Sequence, residues 1–210
     1  MERKTRVPTQ QRALEKYNKI LDAAFILFNE KGYYNTTTQD IAKRADVATG
    51  SVYAYFEDKK DIYIQTLEIV SNKILNPSIE YWKDKKNIDK TNAKELFYVF
   101  LNLTIDSHKF SKRYNDEMEA LYLLDEDIRN KRNELYSLRN NRIMKLFEEM
   151  AIPFKSQEDS KAFLRFCNLI LEDTCHRIIY DNEVFDKEIY INSAMDMIYA
   201  LLISTTTYDF

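Results

Sequence analysis

The residues best suited to recognising another molecule lie close together, between Thr36 and Lys60. Thr49, Gly50, Ser51, Tyr53, Ala54 and Tyr55 bring hydroxyls, small side chains and two phenol rings into one short stretch, with Thr38 and Gln39 before it and Lys59 after it. A glutamine amide offers a donor and an acceptor together, and a serine or threonine hydroxyl can serve as either. Such groups can read the edges of bases, and hydroxyls with a lysine can hold phosphate oxygens. The stretch carries little charge for an exposed surface, which suits entry into a groove.

These side chains need a scaffold, and the neighbouring residues supply the signals for one. Thr37 with Asp40 three residues on forms the pattern of a capping box, and Ile41 and Ala42 give the helix that follows one small apolar face. That helix is expected to end near Ala45. Asp46 and Val47 then make a turn, and Thr49 caps a second helix in which Val52 and Phe56, four apart, face inward. A short helix, a tight turn and a second short helix form a helix-turn-helix, whose second helix enters the major groove of DNA.

The same region resembles the TetR family of bacterial regulators in an ordered series of positions. The series is Phe28-Asn29-Glu30-Lys31-Gly32-Tyr33, Thr37-Thr38 with Ile41-Ala42, Val47-Ala48, Gly50-Ser51-Val52-Tyr53, Tyr55-Phe56, and Lys59 with Ile62. It covers roughly the first third of the chain, and its length makes it far more specific than a short motif. The resemblance implies that Gln39, Thr49, Gly50, Ser51 and Ala54 face bases while Thr38, Tyr53, Tyr55 and Lys59 hold phosphates. Gly50 and Ala54 depart from the larger polar residues of some relatives, which leaves the bases open; Ala54 can at most touch a thymine methyl. The resemblance further implies a transcriptional repressor that binds palindromic double-stranded DNA as a homodimer, its recognition helices about 34 Å apart. A small-molecule effector would bind a second domain, and no cofactor is implied.

Composition sets the frame. Of 210 residues 45% are hydrophobic, yet only two are glycine and three proline, so the frequent turn signals of a β-sandwich are missing and the chain is expected to be all-α. The expected domains are a three-helix helix-turn-helix domain over residues 1–56 and a larger helical bundle over 57–210 for effector binding and dimerisation. Residues 1–60 hold 11 lysines and arginines against 8 acids within a chain of net charge −3, a basic head on an acidic body. No apolar run is long enough for a bilayer: residues 96–105 are already interrupted by Asn102. The N-terminus leads into a polar stretch, so neither a signal peptide nor a membrane partner is expected, and the protein is expected to be cytoplasmic. The two cysteines, Cys167 and Cys175, fit a reducing compartment.

Along the chain, Arg3, Lys4 and Arg6 lie in a terminal segment that reads as a solvated tail or as an arm reaching phosphates. A first helix is expected over 11–30, with a stop at Lys31-Gly32. A fourth is expected from Lys59 to about Leu75, broken by Pro77 and followed by a charged loop over 83–90. Further helices are expected over 92–110, opened by Asn92 and Glu95, then over 111–124, 125–150, 157–180, with a stop at Asp181-Asn182, and 186–202. The last two each show two apolar faces, marked by Phe163, Phe166 and Ile170 against Leu164, Leu171 and Ile178, and by Tyr190, Ala194, Met197 and Leu201 against Ile191, Met195, Ile198 and Leu202. One face of each can pack on its own domain and the other on a second copy, giving a four-helix dimer bundle. The alternative is that both faces are core in a monomer.

The second domain offers Trp82, Phe97, Phe100, Tyr114, Met118, Tyr122, Phe147, Phe163 and Phe166 to line an apolar pocket. Aromatics at helical spacing serve as readily for ordinary core. Glu119 and Asp173 among them could favour a cationic lipophilic effector, or be solvated surface. Cys167, Cys175, His176 and His108 invite a metal, but a site would need ligands from another element, and buried thiols with a satisfied histidine are the simpler reading. No metal is expected. Cys175 and His176, adjacent in a helix, point about 100° apart and make no catalytic dyad. A phosphate-cradling glycine loop and a His-Glu metalloprotease pattern are also lacking. Two other functions remain in view: an enzyme or ligand carrier with a borrowed head, which would not bind specific DNA, and a DNA-organising protein that answers to a protein partner.

Overall fold

With almost no helix breakers in the sequence, the backbone satisfies its polar groups within helices. The computed structural model describes residues 8–83, 93–107, 110–180 and 186–208, and nine α-helices lie among them. The first, α1 (Gln11–Lys31), buries Ile20, Leu21, Ala24, Phe25 and Phe28 on one side and ends at Gly32, whose φ of 85° is open to glycine and whose N–H donates to the Phe28 carbonyl. Helix α2 (Thr38–Arg44) starts with the expected capping box: the Asp40 N–H donates to the Thr37 hydroxyl and the Thr37 N–H to the Asp40 carboxylate. Asp46 makes the turn with a left-handed φ of 54°, a conformation that aspartate tolerates.

Helix α3 (Thr49–Tyr53) corrects one expectation. Its N-cap is Ala48, with extended backbone and no side-chain cap, so Thr49 is the first helical residue and its hydroxyl is not consumed in capping. Helix α4 (Lys59–Lys83) corrects another, since it runs through Pro77 without ending at Leu75. A proline removes one helical hydrogen bond, and here the Arg142 guanidinium holds the flanking turns by donating to Asn72 and Asn76. There follow α5 (Ala93–Ser107), α6 (Lys112–Leu124), α7 (Glu126–Glu149), α8 (Gln157–Tyr180) and α9 (Lys187–Thr205). Of the loop expected over 83–90, Lys83 is the last residue of α4 and 84–90 lie outside the described residues, as do the expected arm at Arg3, Lys4 and Arg6, the Asn92 cap, His108, the Asp181-Asn182 stop and the Trp82 side chain.

Contacts divide the chain into two units, Met1–Ser71 with Phe110–Leu135 and Asn72–Lys109 with Tyr136–Phe210. The division expected at residue 56 is thereby redrawn, because Ile62, Tyr63, Leu67 and Val70 of α4, Tyr114 and Leu121 of α6 and Ile128 of α7 are core residues of the first unit. In that unit the Tyr114 ring meets Phe25 edge-on, Ser111 donates to Asn29, and the Glu117 carboxylate accepts the Tyr33 N–H. The second unit has one contiguous core, with Phe97 and Leu101 of α5, Leu146 and Phe147 of α7, Phe163 and Leu171 of α8, and Met195 and Ile198 of α9. An antiparallel bridge between Phe154 and Thr206 ties the segment after α9 to the one before α8. No helix among the described residues is long and apolar enough to cross a membrane.

Candidate nucleic-acid interface

The recognition surface is positioned from below. Val52 and Phe56 are fully buried, as expected from their spacing, and the Tyr17 ring of α1 stacks on Phe56 at 4.9 Å with 18° between planes. That anchoring leaves Gly50, Tyr53 and Ala54 exposed and Thr49 and Ser51 partly so. A Cβ added at Gly50 would meet nothing within 4 Å, so the glycine leaves open space in the first turn of α3. Gln39 is exposed in the first turn of α2, where its Oε1 accepts from the Thr38 hydroxyl at 3.3 Å.

The expected phosphate set divides into two pairs. The Thr38 and Tyr53 hydroxyls lie 2.9 Å apart, which joins α2 to α3 and leaves the Tyr53 oxygen with hydrogen-bonding capacity toward solvent. Tyr55 is half-buried against Tyr17, with centroids 6.0 Å apart and rings nearly perpendicular. Lys59 has an intramolecular role that the sequence did not suggest: its Nζ donates to the Tyr33 carbonyl at 2.8 Å and sits 4.3 Å from the centre of the Tyr33 ring. Burial pulls its pKa below the ordinary lysine range and raises that of the Tyr33 phenol. An ammonium has three N–H donors, so at most the remainder of Lys59 is available to an anion. Gln39, Thr38, Thr49, Gly50, Ser51, Tyr53, Ala54, Tyr55 and Lys59 therefore all belong to the first unit, with Tyr55 and Lys59 partly engaged there.

The expected effector residues do not stay together. Phe97, Phe100, Phe147 and Phe163 do line one cavity of about 40 Å³ in the second unit. Tyr114, Met118 and Tyr122 instead belong to the first unit, where Tyr114 is core and Tyr122 carries the Arg132 guanidinium over its ring at 4.5 Å. Phe166 is exposed. The acids thought to favour a cation are elsewhere: Glu119 pairs with Arg132 at 2.9 Å, and Asp173 with Arg177 at 3.0 Å and with the Tyr190 hydroxyl. The cavity wall also holds Leu75, at the expected end of the fourth helix, Ile79, beyond that end, and Asn168, a lone amide among the apolar positions of α8, none of which the sequence singles out. Cys167 and Cys175 are buried free thiols, and His176 packs edge-on against Tyr180.

Residues 20–66 match the profile of the bacterial regulatory proteins of the tetR family. Over 185 residues the chain is 25% identical to IcaR of Staphylococcus epidermidis, the negative transcriptional regulator of the biofilm operon icaADBC, covering 88% of this chain and 96% of that protein. It is 50% identical to the transcriptional regulator HbdR of Aromatoleum sp. over 56 residues, 27% of this chain and 24% of that one. A crystal structure described as a TetR-family transcriptional regulator of Mesorhizobium loti superposes with a TM-score of 0.72 over 94% of this chain and 100% of its own, a likeness of fold at 14% identity. These proteins regulate transcription and are not enzymes. Residues 20–66 thus carry the DNA-binding region of the bacterial tetR family, and the capped helix-turn-helix followed by a helical second unit makes the rest of the chain similar to that family in fold.

Proposed function

We propose that the chain is a dimeric cytoplasmic repressor that binds a palindromic operator and is released from it by a small apolar or aromatic effector. The observation that carries the DNA-binding part is the first turn of α3, whose hydroxyls and open glycine face solvent above a fully buried Val52 and Phe56. Gln39, Thr49 and Ser51 would read base edges, and Thr38, Tyr53, Tyr55 and Lys59 would hold phosphates. The likeness to a negative regulator favours repression over activation.

Effector control is supported by the course of α4. This helix begins at Lys59, and its later residues Leu75 and Ile79 form part of the cavity wall. At about 40 Å³ the cavity is far below the ~300 Å³ or more of a ligand pocket, so an effector has to spread that wall to enter. A ligand that binds the spread state better shifts the population toward it, and a coupling of about 1 to 3 kcal/mol would weaken operator binding roughly 5- to 150-fold. The test is a gel-shift with DNA upstream of the chain's own gene, with and without apolar compounds. Sequence-specific retardation that an effector relieves is expected; retardation of every sequence alike, or of none, rejects the reading.

A further inference from the structure

The apolar cavity of the second unit has a polar neighbour. A solvent-open groove of about 690 Å³ is lined by residues of α7 and α8, among them Asn140, Met144, Lys145, Lys161, Leu164 and Arg165. Leu164 lines both spaces. Asn168, on the cavity wall, donates its Nδ2 at 3.2 Å to Asn140 Oδ1 and at 3.3 Å to the Tyr136 hydroxyl, both of which belong to groove residues. One leucine and one hydrogen-bonded amide thus stand between a polar mouth and an apolar interior.

The charges of the mouth have a sign. Lys145, Lys161 and Arg165 face it with Glu148 as the single acid. Lys161 pairs with Glu158 at 2.8 Å and Lys145 loosely with Glu149 at 3.8 Å, both exposed pairs of the kind that another anion readily replaces. Arg165 is exposed and has no carboxylate partner among the described residues. Beyond Leu164 the cavity is closed by Phe97, Phe147 and Phe163, with Leu75 and Ile79 of α4 on its wall. A molecule that satisfies both spaces carries one negative head and one apolar chain.

We propose that the effector is a single-chain anionic amphiphile, its head held by Lys161, Arg165 and Lys145 and its chain passing Leu164 and Asn168 into the cavity. The proposal deepens the effector reading above and rests on it. It replaces the cationic effector that Glu119 and Asp173 suggested, since neither lines the cavity or the groove. A chain entering between the phenylalanines would press on Leu75 and Ile79, the residues through which α4 senses occupancy.

Calorimetric titration of the full chain with decanoate, decyl phosphate, decan-1-ol and decyltrimethylammonium, each below its micelle concentration, tests this. The anions should bind about tenfold or more tighter than the cation with the same chain, the worth of a charge-assisted contact. Whichever anion binds tighter identifies the head as carboxylate or phosphate. The double variant K161E/R165E should lose that preference while binding decan-1-ol as the parent does, which shows the cavity and the fold intact. Equal binding of anion and cation, a preference that survives the double variant, or no binding at all overturns the proposal. Gel-shifts run in parallel separate this from failure of the broader reading: if another apolar compound still relieves specific DNA binding, only the amphiphile is wrong.

Discussion

At the scale of single residues, the hydroxyl of Tyr53 offers a direct probe of the recognition surface. The residue is 48% exposed and its hydroxyl joins Thr38 at 2.9 Å, so Tyr53→Phe removes one oxygen and leaves the packing in place. The variant should fold as the parent does and bind every operator sequence about fivefold more weakly, the usual effect of one lost hydrogen bond. Because a neutral hydroxyl displaces no counterion, the dependence of affinity on salt should not change. Fluorescence anisotropy at several salt concentrations checks both; a loss confined to one base position would make Tyr53 a reader of sequence and not a phosphate holder. The two thiols give a second expectation. Burial pushes Cys175 up to about 12 and Cys167 upward as well. The thiolate is the reactive form, and it is populated only as pH approaches the pKa from below. Ellman's reagent at pH 8 should therefore leave the native chain unlabelled and titrate both cysteines, Cys167 and Cys175, once it is denatured.

At the scale of elements, the turn between α1 and α2 shows how closely the first unit is built. Gly32 has φ of 85°, and a Cβ there would run into the Glu117 carboxylate, which also accepts the Tyr33 N–H. Gly32→Ala should thus destabilise by about 1 kcal/mol or more. For a chain of this length that lowers Tm by about 2 to 4 °C per kcal/mol, measurable by circular dichroism. An unchanged Tm would mean that Glu117 can leave the turn at no cost. The same region shows what a sequence makes legible. The Thr37 and Asp40 capping box, the stop at Gly32 and the burial of Val52 and Phe56 follow from residues within one or two turns of each other, and local pattern is enough to find them. The Thr49 cap failed locally, because the chain is already extended at Ala48. Pro77 failed through tertiary override, since Arg142, 66 residues from Asn76, helps to hold a helix that propensity would end. Tyr114 and Tyr122 were assigned to the wrong unit for a related reason: nothing near them in sequence reveals that α6 returns to α1. Phe97, Phe147 and Phe163 line a cavity together because an apolar wall needs no polar signal, whereas nothing near Asn168 in the sequence marks it as part of that wall.

At the scale of the whole molecule, one chain of 25.1 kDa carries one head and can occupy one half-site, and the proposed palindromic operator needs two. The surface offered for pairing is apolar and exposed: Phe166 at 49% and Leu169 at 55% on α8, Met197 at 51% and Ile203 at 39% on α9. Both helices bury their opposite faces in the second unit's core through Phe163, Leu171, Met195 and Ile198, so an outward charge should leave that core intact. The double variant F166E/M197E is expected to retain helical content, to sediment as a single chain of 25.1 kDa, and to lose about 10²- to 10⁴-fold in operator affinity, because the second head no longer binds at the high effective concentration that linkage provides. Binding to an isolated half-site should be unchanged, which distinguishes lost pairing from a damaged head. If the variant stays dimeric, these side chains do not hold the pair together. If it becomes monomeric and still binds the full operator as the parent does, each head acts alone, and an effector in the second unit would have to act within one chain through α4.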